Sequence, residues 1–106
     1  MNTITSKFDL GGKVAIVTGS SKGIGKSIAR GLAEAGAQVV ISSRKQEAVD
    51  EVAREFTKEG LKAIGIQCHI GDSGERENLI SRTADTFGKI DILVNNAAIN
   101  PYYGPL

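Results

Sequence analysis

The apolar positions of the chain alternate between short continuous runs and helical stripes. Residues 14–18 form an apolar, β-branched run, VAIVT, which is typical of a strand buried on both faces of a parallel sheet. From Gly23 the spacing of apolar residues becomes helical, with Gly36 placed to end the helix. The predicted apolar stripe of this helix consists of Ile24, Ile28, Leu32 and Ala35.

The same change of period recurs along the rest of the chain. It predicts three further strands, over residues 38–43, 63–68 and 90–94. A second helix ends at Gly60, and its buried face is predicted to hold Val49, Val52, Ala53 and Phe56. A third helix begins at Asp72 or Ser73 with Glu75 placed for a capping box, ends at Gly88, and runs over Leu79, Ile80, Thr83, Ala84 and Phe87.

Regular alternation of strands and helices with short connections predicts an α/β protein with a parallel sheet and right-handed crossovers. The expected architecture is a Rossmann-type doubly wound sheet with strand order 3-2-1-4 and helices on both faces, giving three αβα layers. We expect one domain over residues 1–106, with a tail at 1–12 and a loop at 96–106. A ligand would bind at the carboxyl ends of strands 1 and 4, where the strand order reverses.

Composition narrows the class of protein. Among 106 residues, 41% are hydrophobic and 24% charged, which is ordinary for a globular domain and excludes a disordered chain. The net charge of +1 gives no general attraction to nucleic acid or to an anionic membrane, so neither is an expected partner. No apolar run approaches the ~20 residues of a membrane helix. The single Cys excludes an internal disulfide, and we expect a cytoplasmic protein.

The turn after the first strand is rich in glycine. This glycine turn, residues 19–25, reads GSSKGIG. Glycines at Gly19, Gly23 and Gly25 allow positive φ angles and let the backbone approach a ligand closely. The unpaired amides and the dipole of the following helix then suit a pyrophosphate. A simple tight turn is the alternative, but such a turn needs one glycine rather than three.

Other known motifs fit the glycine turn poorly. The pattern G-x-G-x-x-G fails because Ile28 occupies the position of its third glycine. A Walker A loop fails because Ser20 stands where its first glycine belongs. The nucleophile elbow G-x-S-x-G matches in form, but a hydrolase needs an acid and then a His further along, and the chain has only His69. No metal site is predicted.

The remaining spacing, T-G-x-x-x-G-x-G from Thr18 to Gly25, resembles the cofactor loop of short-chain dehydrogenases/reductases. Residues 95–98, NNAA, resemble the N-N-A-G motif of the same family, although Ala98 departs from its glycine. The resemblance runs from Phe8 to the end of the chain. Residues 42–46, 68–71 and 100–101 look closest to the member-4 subgroup of NADP-dependent carbonyl and retinol reductases.

This resemblance implies a set of cofactor-binding residues. The glycine turn would contribute Gly19, Ser21, Lys22, Gly23, Ile24 and Gly25. Asn95 and Ala97 would line the ribose side of the crevice, and Ile70 would cover the adenine face unless it serves ordinary core packing. His69 stands where many members place an adenine-binding Asp, and it could either contact adenine or sit in the loop for local reasons.

The residues after the second strand predict which nicotinamide cofactor is bound. An NAD site needs a carboxylate there for the ribose 2′-hydroxyl, about 20 residues beyond the glycine turn. The chain instead has Ser43, Arg44 and Lys45, which would attract a 2′-phosphate, and Lys22 would add a further positive charge. A solvated basic loop is the alternative. We therefore predict NADP(H) rather than NAD(H).

The family's catalytic residues are not expected within this chain. Its chemistry is hydride transfer to or from a small carbonyl or alcohol substrate, with a Tyr as general acid/base and a Lys four residues later that lowers the Tyr pKa. Tyr102 is followed at that spacing by Leu106, and Tyr103 by no residue. We expect the N-terminal, NADP-binding half of a reductase, inactive alone and homo-oligomeric through the exposed edge of strand 4. The alternative is a non-catalytic dinucleotide-binding or interaction module complete at 106 residues.

Overall fold

The structure, a computed structural model, describes residues 9–96. Seven elements alternate along this part of the chain. The strands are β1 (Val14–Thr18), β2 (Gln38–Ser42), β3 (Lys62–Gly65) and β4 (Ile92–Asn95). The helices are α1 (Gly23–Glu34), α2 (Gln46–Lys58) and α3 (Ser73–Phe87). Residues 1–8 of the predicted tail and residues 97–106 of the predicted loop lie outside the described residues.

The four strands form one sheet in the order β3-β2-β1-β4, and all three strand pairs are parallel. This confirms the predicted α/β class and strand order. In the register, Thr18 at the end of β1 lies beside Ser42 on one side and Asn95 on the other. The carboxyl ends of three strands therefore meet at one edge of the sheet, which is where the glycine turn begins.

Two hydrophobic cores lie on opposite faces of the sheet, because side chains alternate along each strand. The face carrying Ala15 and Val17 packs against α1 and α2, with Phe56 as its largest buried side chain. The face carrying Ile16 packs against α3 through Leu79. This arrangement confirms the three αβα layers. None of the three helices is long and apolar enough to cross a bilayer.

The predicted apolar stripe of α1 is wrong at Ile24. Ile24 is 72% exposed, and the residues that α1 buries are Gly25, Ala29 and Ala33. At Gly25 the helix lies so close to the end of β1 that a Cβ atom would overlap the carbonyl oxygen of Gly19. Ile28 and Leu32 flank this line and are half-buried against the core.

Three strands also differ at their ends from the prediction. β2 ends at Ser42 instead of residue 43, and β4 begins at Ile92 instead of residue 90. β3 covers residues 62–65, but parallel pairing continues beyond it, since the Ile66 amide donates to the Ile41 carbonyl at 2.9 Å. The amide of Cys68 then donates to the Ser43 carbonyl at 2.8 Å. The segment after β3 is thereby held beside the end of β2.

Candidate functional site

The three glycines of the glycine turn have different structural roles. Gly19 and Gly23 have φ angles of 61° and 63°, in the left-handed region that side-chain-bearing residues rarely adopt. Gly25 is helical, but a Cβ atom there would lie 2.1 Å from the carbonyl oxygen of Gly19. The first two glycines therefore bend the backbone, and the third lets α1 pack directly on the end of β1.

The first turn of α1 lacks a capping side chain. Lys22 is the N-cap residue, and its side chain makes no capping hydrogen bond. Within residues 9–96, the amides of residues 21–24 donate to no protein acceptor. A Cβ atom on Gly23 would meet no described residue within 4 Å, so no residue of 9–96 closes the space beside Gly23. Unpaired amides at a helix N-terminus with open space in front favour an anionic group.

Ser20 is a buried anchor of the glycine turn that sequence reasoning missed. Its side chain is fully buried, and its hydroxyl donates to the Val17 carbonyl at 2.6 Å. The same hydroxyl accepts from the Ser42 amide at 2.9 Å, and the Ser20 amide donates to the Ser42 carbonyl at 3.0 Å. The neighbouring Ser21, which the sequence predicts as a cofactor contact, is only half-buried. A small polar residue two positions after the end of a buried strand was the available signal.

Asn96 is a second anchor that the sequence analysis did not select. Its Nδ2 donates to the carbonyl oxygen of Gly19 at 3.1 Å, which ties the segment after β4 to the glycine turn. The predicted site residue Asn95 lies next to it, and its Oδ1 accepts from the Thr18 hydroxyl at 3.0 Å. The structure thus places Asn95 beside Thr18, at the start of the glycine turn. Ala97 lies outside the described residues.

A group of cations lies beside the glycine turn. The basic loop, residues 43–45, follows directly from Ser42, and Arg44 and Lys45 are exposed. Ser42 and Ser20 are joined by hydrogen bonds. Arg44 lies two residues after Ser42 and Lys22 two residues after Ser20, so both cations lie at the same edge of the sheet.

These cations also differ from others nearby in their ion pairing. Among the residues that the structure describes, no carboxylate pairs with Lys22, Arg44 or Lys45. In contrast, Lys26 and Arg30 both pair with Glu55. The positive charge of the basic loop therefore remains available for an external anion.

The segment after β3 borders the same region. His69 is exposed, as a contact to a ligand requires, and Ile70 is half-buried against the core on the α3 face. Cys68 is buried, and this burial raises the pKa of its thiol. The hydrogen bond from the Cys68 amide to the Ser43 carbonyl holds the segment beside the basic loop. The structure thus groups the described site residues at one edge of the sheet.

Only one of the two hydrogen bonds of the predicted capping box forms at the start of α3. The Asp72 side chain accepts from the Glu75 amide at 3.0 Å, as expected. The Glu75 carboxylate does not return to the Asp72 amide, because that amide already donates to the His69 carbonyl. It accepts instead from the His69 amide at 2.7 Å and from Gln67 Nε2 at 3.0 Å. Glu75 therefore holds the backbone of the loop that carries His69.

A parallel αβα sheet with a glycine-rich turn between its first strand and helix is characteristic of dinucleotide-binding α/β proteins. Residues 13–104 match the family model described as short chain dehydrogenase. The chain belongs to this family of oxidoreductases, whose members use a nicotinamide dinucleotide. The predicted family resemblance is confirmed.

Several similar proteins are named as dehydrogenases or reductases. Dehydrogenase/reductase SDR family member 4 from Oryctolagus cuniculus is 50% identical over 103 residues, which cover 97% of this chain and 40% of the relative. Tropinone reductase-like 3 from Erythroxylum coca is 50% identical over 101 residues, covering 92% and 39%. The crystal structure of hydroxysteroid dehydrogenase from Escherichia coli superposes with a TM-score of 0.82 at 40% identity, covering 86% and 39%. The chain thus spans about two fifths of the length of these proteins.

Proposed function

We propose that the protein is an NADP-dependent oxidoreductase that transfers a hydride between NADP(H) and a small carbonyl or alcohol, with this chain as its cofactor-binding half. The observation that carries the proposal is the open glycine turn, whose amides at residues 21–24 have no acceptor within residues 9–96. The names of the three similar proteins described above, each a dehydrogenase or reductase, support the reaction class.

The glycine turn fits the pyrophosphate of the cofactor. Its amides at residues 21–24 would donate to phosphate oxygens, and the dipole of α1 would favour the negative charge. Gly19 and Gly23 hold the turn open, and Gly25 brings the helix close enough to aim its first amides at the ligand. When bound, the cofactor would supply a hydride at its nicotinamide ring.

The basic loop fits the 2′-phosphate that distinguishes NADP from NAD. The hydroxyl of Ser43 and the charges of Arg44 and Lys45 would bind this phosphate, and Lys22 would approach it from the glycine turn. Since these cations have no carboxylate partner within residues 9–96, binding breaks no existing ion pair there. A carboxylate that would accept from a ribose 2′-hydroxyl is missing from the sequence of the loop.

The other predicted contacts complete the proposed site. His69 and Ile70 would border the adenine, held beside the basic loop by the Cys68 amide. Asn95 and the exposed Ile24 would lie on the opposite side of the glycine turn, toward the nicotinamide half of the cofactor. The chain would bind the cofactor and hold it, while hydride transfer requires catalytic residues that the sequence does not offer.

Fluorescence titration of the 106-residue chain with NADPH and NADH tests this proposal. We expect tighter binding of NADPH, and we expect Arg44→Asp to weaken it about tenfold or more while leaving NADH binding unchanged. Tenfold corresponds to ~1.4 kcal/mol, within the range of a charge-assisted hydrogen bond. Arg82→Asp on α3 makes the same change in charge at an exposed position and is the control.

Four results would contradict parts of the proposal. Equal affinity for NADH and NADPH would refute the specificity, as would an NADPH preference that Arg44→Asp leaves intact. Binding of neither cofactor would refute the dinucleotide site itself. Oxidation of NADPH by the isolated chain with a carbonyl substrate would refute the division of the active site between this chain and other residues.

A further inference from the structure

We propose that Ser20 is a positioning residue that sets the placement of the basic loop relative to the glycine turn and thereby the preference for NADP over NAD. This inference rests on the proposed function. Ser20 would not touch the cofactor, because its side chain is fully buried and engaged with the backbone of β1 and β2. Its effect would pass through Ser42 to the loop that follows.

The bonds between Ser20 and Ser42 run in both directions. The Ser20 amide donates to the Ser42 carbonyl at 3.0 Å, and the Ser42 amide donates to the Ser20 hydroxyl at 2.9 Å. The hydroxyl hydrogen is donated to the Val17 carbonyl at 2.6 Å, which leaves a lone pair of the oxygen for the Ser42 amide. The parallel ladder of β1 and β2 ends at the pair of Thr18 with Ser42. Ser20 therefore adds a further connection where regular pairing stops.

This connection lies between the two proposed phosphate subsites. The glycine turn continues directly from Ser20, and the basic loop continues directly from Ser42. In Ser20→Ala the Ser42 amide would lose its acceptor, and an unpaired buried amide is unfavourable. Movement of the end of β2 toward another acceptor or toward water would relieve that state and displace the basic loop.

The expected effect is selective for one of the two subsites. The pyrophosphate donors are amides of the glycine turn itself, and its bend depends on Gly19 and Gly23, which Ser20→Ala leaves in place. The 2′-phosphate donors belong to the displaced loop, and a guanidinium contact to phosphate depends on geometry. Loss of the hydroxyl should therefore weaken NADPH binding more than NADH binding.

The test measures affinities of the 106-residue chain for NADPH and NADH in wild type, Ser20→Ala and Thr83→Val. Thr83 is also fully buried, and its hydroxyl donates to the Leu79 carbonyl at 2.8 Å on α3, on the opposite face of the sheet. Both variants remove one buried hydroxyl. We expect the NADPH-to-NADH affinity ratio to fall about tenfold in Ser20→Ala and to remain at the wild-type value in Thr83→Val.

Each outcome decides a separate point. A wild-type chain without NADPH preference would refute the proposed function and leave Ser20 nothing to position. With a wild-type preference present, an unchanged ratio in folded Ser20→Ala would overturn the role of Ser20. An equal loss for both cofactors would overturn it too, since that result indicates general destabilisation. If Ser20→Ala does not fold, Ser20→Cys retains a weak acceptor of similar shape, and its ratio should lie below wild type; a wild-type ratio there would overturn the proposal.

Discussion

Replacement of Gly25 by alanine tests the packing of α1 on the end of β1. The added Cβ would lie 2.1 Å from the Gly19 carbonyl oxygen and 2.7 Å from Asn96 Nδ2. Both distances are far below van der Waals contact, and the nearest atom belongs to the backbone, so no side-chain rotation can relieve the overlap. The helix must move away from the strand or the glycine turn must deform.

The expected loss of stability follows from two contributions. Overpacking of a close contact typically costs ~1–3 kcal/mol. Displacement of Asn96 also removes its bond to the Gly19 carbonyl, at about 0.5–1.5 kcal/mol for a neutral hydrogen bond. The sum is roughly 2–4 kcal/mol, a large part of the ~5–15 kcal/mol typical of a folded domain. At ~4–8 °C per kcal/mol, Tm should fall by roughly 8 °C or more.

Gly31→Ala in the same helix is the matched control. Gly31 is exposed, has no positive φ, and an added Cβ would meet none of the residues 9–96 within 4 Å. Alanine should stabilise the helix there by ~0.5–1 kcal/mol. Thermal and urea unfolding followed by circular dichroism measures both variants. The packing argument is refuted if Gly25→Ala unfolds within about 0.5 kcal/mol of wild type, or if Gly31→Ala destabilises as much.

Three further predictions concern other parts of the chain. The Val14 amide donates to Asp91 Oδ2 at 2.8 Å, and this hydrogen bond lowers the pKa of the Asp91 carboxyl. The stability that the ionised carboxylate contributes is therefore lost as the pH falls through its folded-state pKa. Asp91→Asn should flatten the acid limb of stability measured by urea unfolding at several pH values, and an unchanged limb contradicts this. Burial raises the pKa of the Cys68 thiol, so iodoacetamide should react slowly with native protein and rapidly in urea; equal rates would show an accessible thiol. Leu93 is 57% exposed on β4, which pairs within residues 9–96 only with β1, so Leu93→Lys should reduce concentration-dependent association in sedimentation. A monomeric wild-type chain would contradict this prediction.

The order and type of the elements could be predicted because their signals are local. Apolar runs such as residues 14–18 differ in period from the helical stripes that follow, and glycines such as Gly36, Gly60 and Gly88 adopt the positive φ that ends each helix. The error at Ile24 shows the limit of this reasoning. Periodicity identifies an apolar stripe, but it does not show which residues of α1 lie nearest the sheet, and the buried ones include the small residues Ala29 and Ala33.

In the candidate site, too, the features with local sequence signals could be predicted and those that depend on distant residues could not. The glycine turn and the basic loop are short segments whose backbone freedom and charge can be read directly from residue type. Ser20, Asn96 and Glu75 could not be selected in this way, because their roles depend on the groups that face them. The partner of Ser20 lies 22 residues away, and the partner of Asn96 lies 77 residues away.

The sequence alone therefore determined the alternation of strands and helices and the bends at Gly19 and Gly23. It also determined that the loop directly after β2, residues 43–45, carries cations and no carboxylate. The tertiary structure decided that Ser20 binds Ser42 and that Gly25 must lack a side chain. The physical reason is that backbone conformation and charge are properties of a residue and its neighbours. Hydrogen-bond partners and steric limits arise only when distant strand ends are brought to the same edge of a sheet.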